Sequence, residues 1–108
     1  MSLRLVYRRR VGRDLSDAFE YYEEQVEGLG EKFLGAVDTA FDAIERYPGM
    51  FAKVHRDVRR AIISQFPYAV FYRIEPDRVI VFRVLHTARD PRAWPLSGKP
   101  DVAGAKGL

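Results

Sequence analysis

A chain of 108 residues is long enough for one hydrophobic core and too short for two. It holds no cysteine, which excludes disulfides and thiolate-held metals. No run reads as a membrane span or a secretory leader, so a cytoplasmic location is expected. The net charge of +3 is small but unevenly spread: residues 11–50 carry −7, against +4 on residues 1–10 and +5 on residues 51–95. Such asymmetry fits an anionic partner as well as it fits pairing within the fold.

Leu3, Leu5 and Tyr7 alternate with Arg4, Val6 and Arg8, the period of a strand. The period then changes. Val11, Leu15, Ala18, Phe19, Tyr22 and Val26 fall on one face of a helix, with Asp17, Glu20, Glu23, Glu24 and Glu27 on the other. Those acids read as a solvated face rather than as metal ligands or an acid–base pair. Glu27-Gly28-Leu29-Gly30 is a break, because glycine tolerates the left-handed backbone that ends helices. A second helix is predicted over residues 31–47. Its stripe is Phe33, Val37, Ala40, Phe41, Ile44 and Tyr47, and Pro48-Gly49 stops it. So short a break predicts an antiparallel helical hairpin.

Strands are predicted at residues 58–64, 68–75 and 78–86, with turn chemistry at Gln65-Phe66-Pro67 and Glu75-Pro76-Asp77-Arg78. A fainter strand pattern lies at residues 52–56. Helices followed by a run of strands predict an α+β fold. Its expected form is an N-terminal strand and an antiparallel helical hairpin packed on a twisted antiparallel sheet of three to four further strands. Phe19, Tyr22, Phe33, Val37, Phe41 and Ile44 should pack on that sheet. The domain is expected to occupy residues 1–95. Residues 96–108, rich in glycine, proline, alanine and lysine, are expected to be a flexible tail.

The stretch Phe66-Pro67-Tyr68-Ala69-Val70-Phe71-Tyr72-Arg73-Ile74, followed by Val81-Phe82-Arg83-Val84-Leu85-His86, resembles the last strand pair of ParE-type toxins. So does the helical pair, with Asp14-Leu15, Tyr21-Tyr22-Glu23, Gly28-Leu29-Gly30 and Phe33, closed by Ile44, Pro48 and Gly49. From residue 3 to about 95 the chain is similar to the RelE/ParE toxin superfamily of plasmid stabilisation proteins, and closer to its ParE branch. The resemblance implies the toxin of a type II toxin–antitoxin pair, neutralised by a cognate acidic antitoxin. The ParE branch implies inhibition of DNA gyrase. The RelE branch implies cleavage of mRNA on the ribosome, and a degenerate member would bind its antitoxin only. A homodimer or a hetero-tetramer with the antitoxin is the implied assembly. No cofactor or metal site is expected.

Cleaving RNA through its 2′-hydroxyl needs a base, cations for the phosphorane and an acid for the leaving oxygen. RelE-type enzymes often carry an arginine where this chain has Ala69. They also often follow the last strand with an arginine and a tyrosine. Here that segment is His86-Thr87-Ala88-Arg89-Asp90, with Trp94 beyond it, and indole cannot exchange a proton as a phenol can. Catalysis, in the ribonuclease reading only, would fall to Arg60, Arg83 and His86. His86 suits proton transfer by residue type, yet ParE-like chains also often end this strand with Leu-His. The candidate partner contacts are Arg59, Arg60, Arg73, Arg83, Arg89 and Trp94. Arg59 and Arg60 adjoin on one strand and so point to opposite faces. Trp94, between Pro91 and Pro95, reads as a pin for the C-terminal segment before it reads as a stacking platform.

Overall fold

Two helical stripes that need cover find it on one face of a six-stranded sheet. A computed structural model describes residues 3–88 and 102–105 of the chain. In chain order they form β1 (Arg4–Arg8), α1 (Arg9–Gln25), α2 (Leu29–Arg46), β2 (Lys53–His55), β3 (Val58–Ile62), β4 (Tyr68–Ile74), β5 (Arg78–His86) and β6 (Val102–Ala105). This is the α+β arrangement expected from the sequence, and the faint pattern at residues 52–56 is the short strand β2.

β1 passes into α1 without a loop, and Val11, Ala18 and Tyr22 turn inward. The helix ends at Gln25. Val26 follows in extended backbone and is exposed, so it leaves the stripe on which its spacing had placed it. Gly28 takes the left-handed conformation, φ 87°, that the reversal requires.

α2 begins at Leu29, so Gly30 lies within its first turn and ends nothing. A side chain at Gly30 would meet the Phe19 ring at 2.7 Å and the Phe19 carbonyl oxygen at 2.9 Å. The glycine is there because the two helices touch. Glu23, expected on the solvated face, instead accepts hydrogen bonds from the Gly28 and Gly30 N–H groups, both at 2.9 Å. Its carboxylate thereby caps the positive end of α2 and locks the hairpin.

The strand order is β2-β3-β4-β5-β1-β6. β2 to β5 form the expected antiparallel meander. β1 joins it parallel to β5, which makes the whole sheet mixed. β5 carries a bulge: Phe71 pairs with Arg83 and Tyr72 with Val81, leaving Phe82 as the extra residue. Without it, Val81 and Val84 would lie on opposite faces. With it, both enter the cluster beneath the helices.

That cluster joins Val11, Ala18, Tyr22, Phe33, Val37, Phe41 and Ile44 to Leu5, Val70, Tyr72 and Val79 of the sheet. Burying each large apolar side chain is worth about 1.5–3 kcal/mol. Tyr22 and Phe33 meet Phe66 and Tyr68 with ring centroids 5.0–6.0 Å apart, which closes one end of the core. Five of the six residues expected to pack on the sheet belong to the cluster. Phe19 is half-buried and packs on Gly30 instead. A second cluster, Val6, Val58, Ala69, Phe71, Ile80, Phe82 and Leu85, lies on the face turned away from the helices.

Residues 102–105 lie inside the segment expected to be a flexible tail, yet they run as a strand antiparallel to β1. The reason is non-local. β1 has β5 on one side only, and its other edge offers backbone groups that any short, unhindered segment can satisfy.

Candidate partner-binding surfaces

The described candidate site residues divide between the two sheet faces and do not converge. Arg83 is held on the helix side. Its Nε and Nη2 donate to Asp14 of α1 at 2.8 and 3.0 Å, and the same carboxylate accepts the Val84 N–H at 3.0 Å. Arg10, one turn earlier on α1, stands 3.8 Å from Asp14. The Arg83 guanidinium therefore works inside the fold, joining α1 to β5 beside the bulge.

His86 ends β5 on the same side and is exposed. Its Nδ1 accepts the Ala88 N–H at 3.1 Å, and its ring meets Tyr68 edge-on at 5.5 Å. Beside it an open cleft of about 210 Å³ is bordered by Arg10, Asp17, Tyr21 and Tyr68. The mixture of phenols, one imidazole and charges of both signs suits a polar or aromatic side chain of a partner.

Arg59 serves the structure as well. It donates to the Phe51 carbonyl at 2.6 Å and to that of Gly49 at 3.3 Å, which ties the chain after α2 to β3. Buried Tyr72 completes this corner by donating to the Pro48 carbonyl at 2.5 Å. Burial pushes the Tyr72 phenol up to about 12, and nearby Arg59 pulls it back in part.

Arg60 points away from the helices, opposite Phe71, and is exposed. Arg73 shares that face. It donates to Glu75 at 2.8 Å and lies over the Phe82 ring at 5.3 Å, while Arg78 reaches the other oxygen of Glu75 at 3.2 Å. The Arg73 hydrogen bond, helped by Arg78, holds the Glu75 carboxyl below its ordinary range. Ala69 is fully buried between Ile62 and Leu85. Arg89 and Trp94 lie outside the described residues.

Asp14, Arg10, Tyr21 and Tyr68 were not candidates from the sequence. Only Asp14 left a signal, an acid set inside an apolar helical stripe. Among the described residues, no cluster of three or more His, Cys, Asp or Glu side chains could hold a metal ion, and no helix is long and apolar enough to cross a membrane.

The family model described as "ParE toxin of type II toxin-antitoxin system, parDE" matches residues 5–91. The chain belongs to the ParE toxin family. Its fold is that of a chain in the solved structure "Chromosomal ParDE TA system from P. aeruginosa", with a TM-score of 0.71 at 13% identity. The match covers 79% of this ParE-family chain and 96% of the other. Comparison with curated protein sequences gives no significant match. The matched stretch runs from β1 through the end of β5, so the Asp14–Arg83 pair, the His86 cleft and the arginine-bearing face all belong to the ParE-like domain.

Proposed function

We propose that this ParE-family chain acts by binding DNA gyrase and arresting it, and that an acidic antitoxin neutralises it by wrapping the toxin with a segment that is unstructured when free. The observation that carries the binding reading is the separation of the three cations and bases that RNA cleavage would need together. Arg83 is neutralised by Asp14, Arg60 stands on the opposite face of the sheet, and His86 sits at a strand end beside phenols and acids. A recognition surface tolerates such dispersal, whereas general acid–base catalysis on one phosphate does not.

The antitoxin reading is supported by family membership and by the basic charge of residues 51–95. Charge complementarity speeds such an association and makes it salt-sensitive. Among the described contact candidates Arg60 and Arg73 are the strongest, because Arg59 and Arg83 already serve the fold. The deciding experiment is induction of the isolated gene while DNA supercoiling, DNA breaks and translation are followed together, with a supercoiling assay on purified gyrase beside it. Gyrase-linked breaks support the proposal. Cleaved transcripts with intact supercoiling overturn it in favour of a ribonuclease. Antitoxin binding without growth arrest overturns it in favour of a degenerate member.

A further inference from the structure

We propose that the sheet face turned away from the helices binds the phosphodiester backbone of duplex DNA. The register places Arg4 of β1, Arg60 of β3, Arg73 of β4 and Arg78 of β5 on that face, and the Phe82 ring holds Arg8 of β1 there as a fifth arginine. None of the strand positions between them is an acid or a lysine. Arg4 and Arg78 are direct register partners on neighbouring strands. Like charges set side by side destabilise a sheet, so the fold bears a cost that an anion would relieve. Arg8 and Arg73, from the strands on either side of β5, both lie against the Phe82 ring, at 4.5 and 5.3 Å. The stacking holds their guanidinium planes in place. Glu75 offsets part of the charge on Arg73 and Arg78, whose side chains remain about a third exposed, at 32% and 31%.

The choice between nucleic acid and an acidic peptide turns on the floor of this face. Val6, Phe71, Ile80 and Phe82 are nearly fully buried. A peptide draws its affinity from several apolar anchors seated in pockets, and on this face the described residues of β1, β3, β4 and β5 leave one large apolar side chain exposed, Ile62 at 53%. The charged groups at the surface of this face are guanidinium groups, and these suit phosphate in two-point contacts. Nucleic-acid backbones bind through that chemistry without need of apolar anchors. The choice of DNA over RNA rests on the gyrase reading above; the cationic face does not.

The test is fluorescence anisotropy of a DNA duplex of about 20 base pairs, roughly two helical turns, titrated with the full chain at several salt concentrations. The logarithm of affinity should fall with the logarithm of salt by about 0.9 per phosphate engaged. Arg60→Gln, and Arg60→Gln with Arg73→Gln, should each weaken binding and lower that slope by about one per arginine removed. The pair Lys32→Gln and Arg46→Gln on α2 removes as much charge and should change neither. Thermal melts establish that each variant is folded, and exposed Arg60→Gln alone suffices if the double variant is not. Absence of duplex binding at low salt overturns the proposal. So does an equal loss in the α2 pair, or capture of a polyglutamate peptide in place of the duplex. Gyrase poisoning without duplex binding removes this proposal and leaves the gyrase reading. Duplex binding by protein that leaves gyrase untouched does the reverse.

Discussion

Asp14 in α1 and Arg83 in β5, 69 residues apart in sequence, form a two-point ion pair whose carboxylate also accepts the Val84 N–H. The Asp14 side chain is only 6% exposed and that of Arg83 17%. A charge so enclosed is stable only when every oxygen is engaged, and here both are. The pair fixes the height at which α1 crosses the bulged part of β5. Asp14→Asn should therefore cost about 3–5 kcal/mol by leaving the guanidinium enclosed without its anion. Urea unfolding should show a lower midpoint at unchanged slope. Replacing both partners together, Asp14→Leu with Arg83→Met, should recover much of the loss. A midpoint unmoved by Asp14→Asn would mean that the pair does not pin the helix.

Two glycines of α2 make opposite predictions from one substitution. Alanine in place of glycine within a helix gains up to about 1 kcal/mol from propensity. At Gly35 the added methyl group meets nothing within 4 Å, so Gly35→Ala should stabilise by about that amount. At Gly30 it meets a ring at 2.7 Å and a backbone oxygen at 2.9 Å, and the backbone cannot swing aside. Gly30→Ala should lose about 1–3 kcal/mol to overpacking, more than propensity returns. Equal shifts in Tm for the two variants would refute the close contact between the helices.

Tyr72 predicts an alkaline limit to the fold. Its folded pKa of about 12 lies above the ordinary phenol value of about 10, so the native state holds that proton more tightly than the unfolded chain does. The resulting stability is complete below about pH 10 and is lost as pH rises through about 12. Absorbance titration should show a late tyrosine ionisation that coincides with unfolding. Tyr72→Phe should abolish this late step and, by deleting the bond to Pro48, cost about 0.5–1.5 kcal/mol at neutral pH. An unchanged titration in the variant would assign the late ionisation to another tyrosine.

Elements whose signal is periodic were legible in the sequence; contacts between distant segments were not. Phe33, Val37, Phe41 and Ile44 announce a buried helical face, and the helical face is what they form. β5 was expected at residues 78–86 and lies at Arg78–His86, but its nearly continuous apolar run hid the bulge at Phe82. Alternation reports only which way side chains point, and in such a run nothing marks a change of phase. Val102–Ala105 has no local strand signal, because the order comes from the open edge of β1. Glu23 and Asp14 were misjudged or passed over for one reason. Helical spacing tells a charged face from an apolar one, but not that a carboxylate on either has found a backbone N–H to bind. Of the candidate site, residue type marked out Arg60, Arg73 and Arg83 equally, and only the fold separates the one spent on Asp14 from the two left on the outer face.

That separation decides the expected behaviour of three variants in a toxicity assay. If the protein works by recognition, no side chain should be indispensable to a chemical step. His86 is exposed at the end of its strand, and its one backbone hydrogen bond is local. His86→Gln should therefore change stability by no more than about 0.5 kcal/mol and leave growth arrest intact. Arg60→Glu should weaken arrest in a graded way without changing Tm, because Arg60 is exposed and its loss disturbs contacts only. Arg83→Glu should abolish arrest by a different route, by setting two carboxylates against each other at Asp14 and unfolding the domain. Melting curves recorded beside the growth assays tell the two arginines apart. A ribonuclease would give another pattern. His86→Gln would then lose the proton-transfer contribution, typically about 10²–10⁴-fold in rate, while Tm stayed fixed and transcripts ceased to be cut. Arrest with cleaved transcripts in the parent protein, lost in a folded His86→Gln variant, would therefore overturn the recognition mechanism.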